Sequence, residues 1–78
     1  MIKHNVTISA NTKLKGFTHE DEDSWVKRKN YKGKTIQDII DQINTEYGIV
    51  NIYASEFDDE YATYKSNVGG VIYIIDID

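Results

Sequence analysis

Along residues 3–9 polar and apolar side chains alternate. Val6 and Ile8 fall on one side of an extended chain and Asn5 and Thr7 on the other, the period of a half-buried strand. Residues 11–16 read as a loop, Phe17 stands where pairing can resume, and the acidic run 20–23 is expected to interrupt it. A second strand is predicted over 25–31, with Trp25, Lys27, Lys29 and Tyr31 on one face and Gly33 as the turn residue that closes it.

The period then changes. Ile36, Ile39, Ile40, Ile43 and Tyr47 recur at i, i+3, i+4, i+7 and i+11, one apolar stripe of a helix about four turns long. Thr35 followed three residues later by Asp38 has the form of a capping box, and Gly48 ends the pattern. Strands are predicted over 49–54, 60–65 and 69–78, the last two joined as a hairpin across "SNVGG". The run "VIYII" is too dense for a strand wet on one side, so the last strand is expected at the centre of the sheet. The result is one α+β domain over 1–78, with an amphipathic helix on a four- to five-stranded mixed or antiparallel sheet. This order of elements is similar to a β-grasp arrangement, in which a sheet curls around one helix.

Composition narrows the class. Twelve isoleucines and six tyrosines in 78 residues argue against disorder, yet so short a chain builds a thin core, and a possible homodimer follows as an expectation. There is no cysteine, no long apolar stretch at the N-terminus and no membrane-length apolar run, so a cytoplasmic protein is expected. His4 and His19 stand in no metal-ligand spacing, and no nucleophile is paired with a base. No metal, cofactor or enzymatic activity is therefore expected.

Charge changes the picture most. The net charge is −4, but residues 1–37 hold eight Lys or Arg against four acids, whereas 38–78 hold one against nine. Such asymmetry is an argument about partners. The acids are Asp38, Asp41 and Glu46 on the helix, Glu56, Asp58, Asp59 and Glu60 beside Phe57 and Tyr61, and Asp76 and Asp78 at the end. Carboxylates two apart on a strand repeat at about 6.6 Å, close to two phosphate steps along a DNA strand. These residues together form the expected partner-binding surface, the aromatics supplying contact area. The commonest origin of such a cluster is a solvated acidic loop that keeps a small protein soluble.

The opposing signal is "KRKNYKGK". Lys27, Arg28, Lys29, Lys32 and Lys34, with Trp25 and Tyr31, suit a loop that follows phosphates and stacks a base. The same cations suit pairing with the protein's own acids, such as "HEDED" at 19–23, or guarding a sheet edge.

In size, in lacking Cys and Pro, in the helix acids Asp38, Asp41 and Glu46, in "EFDDE" and in the terminal "DID", the chain resembles the small acidic inhibitors of bacteriophages and other mobile elements, DNA mimics among them. The resemblance implies a non-enzymatic protein that occupies the DNA site of a basic, nucleic-acid-binding host protein. A nucleoid protein, a polymerase subunit or a CRISPR effector would qualify, and the bacterial host cytoplasm would be the setting. The alternatives are a nucleic-acid-binding module built on 27–34 and a domain whose oppositely charged halves assemble with one another.

Overall fold

The computed structural model describes residues 2–49, 52–57 and 62–78. Its elements in chain order are β1 (Ile2–Ala10), β2 (Thr18–Asp21), β3 (Ser24–Gly33), α1 (Ile36–Tyr47), β4 (Tyr53–Phe57), β5 (Ala62–Val68) and β6 (Val71–Ile77). The strands form one sheet in the order β2-β3-β1-β6-β5-β4, with every pairing antiparallel. The α+β class holds. The strand count is six rather than four to five, because the acidic stretch shifts the register at Glu20 without ending the pairing. Thr18, His19 and Asp21 pair with Val26, Trp25 and Ser24, so the run of carboxylates forms an edge strand and a turn.

The helix starts where its capping box places it. The Asp38 N–H donates to Thr35 Oγ1 at 3.2 Å, and the Asp38 carboxylate accepts from the Thr35 and Lys34 N–H groups at 3.2 and 2.8 Å. It stops at Gly48, whose N–H donates to the Asn44 carbonyl at 2.7 Å. Ile39, Ile40 and Ile43 are buried, while Gln37, Asp41, Gln42, Asn44 and Thr45 are exposed. The buried isoleucines join Val6 and Ile8 of β1, Tyr31 of β3, and Tyr73, Ile75 and Ile77 of β6 in one cluster, with Ile49 beside them. Full burial of each such isoleucine contributes about 1.5–3 kcal/mol before chain entropy is set against it. Gly33 lets α1 approach β3: a Cβ there would stand 2.9 Å from Asp38 Cβ and 3.1 Å from Ile39 Cδ1.

Strand β6 is central, flanked by β1 and β5, but the reason inferred from its density does not hold. Tyr73, Ile75 and Ile77 point into the core, whereas Ile72 and Ile74 point away from it and stay 46% and 37% exposed. Among the described residues a single helix covers one side of the sheet, so a central strand is wet on the other. The β5–β6 hairpin turns on Gly69 and Gly70, whose φ values of 58° and 84° suit a tight two-residue turn and not a longer loop. The fourth strand begins at Tyr53 rather than 49, and the predicted start of the fifth, at 60–61, lies outside the described residues. No helix among the described residues is long and apolar enough to cross a membrane.

Candidate functional site

Residues paired across an antiparallel sheet share a face, so the register fixes what the uncovered side displays. One continuous row crosses all six strands. Thr18 pairs with Val26, Val26 with Ser9, Ser9 with Ile74, Ile74 with Lys65 and Lys65 with Tyr53. Ile72 follows on the same side of β6, and Tyr53, at 56% exposure, ends the row at the edge. Next to Ile74 lies a depression of about 130 Å³ bounded by Ser9, Asn11, Asp23, Ser24, Ile72 and Ile74. An exposed apolar ridge therefore runs beside a hollow floored by small side chains.

The neighbouring row is polar: Arg28, Thr7, Asp76 and Thr63, in register from β3 to β5. Arg28 is held from the edge by Glu20, which accepts two guanidinium N–H bonds at 2.6 and 3.0 Å. That bidentate pair lowers the Glu20 pKa and raises that of Arg28. On β6, Asp76 accepts the Thr63 hydroxyl at 2.9 Å. Further along, Lys3 and Lys32 stand directly opposite each other. A depression of about 270 Å³ bounded by Asn5, Thr7, Arg28 and Asn30 opens beside them.

The helix acids sit on the other side of the sheet. Asp38 is engaged by the cap. Asp41 is exposed and accepts from Gln37 Nε2 at 2.9 Å. Glu46 ties α1 to β3: one oxygen accepts from Lys29 Nζ at 2.8 Å and the other from the Tyr31 hydroxyl at 2.8 Å. The Lys29 hydrogen bond, against some desolvation, lowers the Glu46 carboxyl pKa, and the same bond raises that of Lys29. Burial, and then the Glu46 carboxylate, push the Tyr31 phenol far above its ordinary value. Lys29 Nζ also lies 5.1 Å from the Tyr31 ring centre.

The expected partner surface is thus divided. Asp38, Asp41 and Glu46 lie on the helix side, and Asp76 lies on the open side. Asp78 ends the chain beside β1, its N–H donating to the Asn5 carbonyl at 2.9 Å and its own carbonyl 2.8 Å from His4 Nδ1. Glu56 and Phe57 belong to β4, while Asp58, Asp59, Glu60 and Tyr61 lie outside the described residues.

The basic stretch is divided too. Lys27 and Lys29 take the helix side with Trp25, which stacks on His19 at 4.4 Å; Arg28 and Lys32 take the open side. Lys34 lies past the end of β3. Alternation along β3 dictates this split. Among the described residues, two of the five cations, Arg28 and Lys29, are engaged by the protein's own carboxylates.

The open-face residues Ser9, Val26, Tyr53, Ile72 and Ile74 were not among those the sequence singles out. The period-2 spacing of Ile72 and Ile74 puts them on one face, and no second layer among the described residues covers that face. No three metal-ligating side chains gather among the described residues. No family model, no curated protein and no solved structure matches the chain.

Proposed function

We propose that the protein is a non-enzymatic acidic binding protein that occupies the nucleic-acid site of a basic DNA-binding partner, as phage-type mimics do. The observation that carries this reading is the position of the strands that bear Asp76 and Glu56. β6, β5 and β4 are consecutive in the sheet, so the strands that bear Asp76 and Glu56 make up one half of it. The segment 58–61 joins Phe57 and Ala62, which pair with each other, and Ala62 pairs with Ile77, the residue before Asp78. The strand ends that flank the acidic segment therefore meet the chain terminus at one end of the sheet. The acids in contact with β3, Glu20 and Glu46, neutralise cations that would otherwise repel a basic partner. In this reading Asp76, Asp78, Glu56 and 58–60 make the principal contact, with Asp41 a separate charge on the helix side.

A pull-down from bacterial lysate tests it. The protein should retain a basic DNA-binding protein, and the triple variant Asp58→Asn, Asp59→Asn, Glu60→Gln should lose it. Retention by both forms alike counts against the proposal.

A second reading has one observation in its favour. Lys3 and Lys32 face each other on the open side beside Arg28, Asn5 and Asn30, and like charges so placed are unfavourable unless an anion joins them. A nucleic-acid backbone would supply one. Direct retardation of DNA by the protein alone, lost in Lys3→Gln with Lys32→Gln, would favour this reading over the mimic.

A further inference from the structure

We infer that the open face of the sheet is the contact of a homodimer, in which two copies pack face to face about a two-fold axis parallel to the strands and lying between β1 and β6. Three observations point to a second copy of this chain as the occupant.

The first is self-complementarity. A two-fold contact must offer both a projection and its matching hollow on the same surface. Here Ile74 projects from β6 and Ser9, its cross-strand neighbour on β1, floors the hollow that continues to Ser24. Rotation about an axis between these two strands sets each copy's Ile74 over the other's Ser9, so the ridge of one enters the hollow of its partner twice.

The second is charge. An axis along the strands lays the β3–β1 half, which carries Lys3, Lys32 and Arg28, over the β6–β4 half, which carries Asp76. Thr7 of one copy then sits over Asp76 of the other, with Arg28 one strand away, so opposite charges approach across the contact.

The third is area. Six strands at about 4.8 Å spacing and about 20 Å length present roughly 600 Å² from each copy, or about 1,200 Å² together, the lower bound of a stable specific interface. Exposed Ile72, Ile74 and Tyr53 supply its apolar centre and rim. An axis along the strands also keeps corresponding strand ends together, so both copies' Asp78 termini emerge at the same end of the dimer. In the dimer Asp76 lies against the second copy, so a basic partner that uses it binds the dissociated chain; the two readings still fail separately, because a monomer can displace DNA and a dimer need not.

Sedimentation equilibrium of the full chain tests the inference. The wild type should sediment as a dimer at micromolar concentration, with dissociation rising as salt is added. Ile74→Lys, at an exposed position, should weaken the dimer by about tenfold or more, as expected of a central contact residue. Gln37→Lys, on the exposed side of α1, should leave it unchanged. Circular dichroism checks that both variants are folded. A wild type that stays monomeric at hundreds of micromolar overturns the inference and leaves the face to a foreign partner. A folded Ile74→Lys that dimerises like the wild type overturns it as well.

Discussion

Glu46 and Tyr31, fifteen residues apart, are joined by a hydrogen bond of 2.8 Å from the phenol to the carboxylate, and the other carboxylate oxygen holds Lys29 at 2.8 Å. The last turn of α1 is thereby fastened to the middle of β3. That helix turn carries no basic residue of its own, so the cation that offsets the negative helix end comes from the sheet.

Acid stability should register this link. The Glu46 pKa is lowered in the fold, so its contribution is complete above the ordinary value of 4.5 and is lost as pH falls below that toward the folded value. Thermal melts of Glu46→Gln and wild type should therefore differ most near neutrality and converge in acid. A gap that stays constant down to acid pH would show that the carboxylate's charge contributes nothing.

Alkaline stability should register the other partner. Burial raises the Tyr31 pKa, so its contribution is complete below the ordinary value of 10.0 and is lost as pH climbs above it. Tyr31→Phe should be less stable than wild type at pH 7, having lost a hydrogen bond to a charged group worth about 1.5–3 kcal/mol before screening of this half-exposed carboxylate reduces it. It should unfold less steeply above pH 10 by ultraviolet-monitored titration.

The helix start offers a local test. Thr35→Ala removes the acceptor for the Asp38 N–H and should destabilise the domain by about 0.5–2 kcal/mol in urea titrations, with an unchanged m-value. Gly33→Ala should be worse than its small size suggests, because the added Cβ meets Asp38 and Ile39 within 3.1 Å.

The core prediction is larger. Ile43 and Ile75 are fully buried on α1 and β6, and Ile43→Ala or Ile75→Ala should each lower stability by about 2–5 kcal/mol. In a domain this small, the melting temperature should fall by many degrees.

What could be read from the chain alone divides along a physical line. The helix 36–47 was legible because its apolar spacing, Thr35, Asp38 and Gly48 are all local signals. Strand β6 is central, as the density of "VIYII" suggests, yet not for that reason: Tyr73, Ile75 and Ile77 face the core while Ile72 and Ile74 stay exposed. Two things were not legible. Alternation shows that Ile72 and Ile74 share a face, but whether a second layer covers that face depends on how many helices the whole chain forms. Glu46 falls off the isoleucine stripe and reads as solvated, yet Lys29 and Tyr31 reach it across a fold that local spacing does not encode. For the same reason the acids of α1 and β6 look like one group in the sequence and lie on opposite sides of the sheet.

The account's central claim, that the acid-rich β4–β6 half receives a basic nucleic-acid-binding protein in place of DNA, is tested most directly by competition. Labelled DNA is first bound to such a protein, a bacterial nucleoid protein being the natural choice, and this chain is then titrated in at several salt concentrations. The account predicts release of free DNA, weakening steeply as salt rises, with Asp58→Asn, Asp59→Asn, Glu60→Gln and Asp76→Asn together far less effective than wild type. Release that ignores salt, or a slower-migrating species containing DNA and this chain, would contradict it.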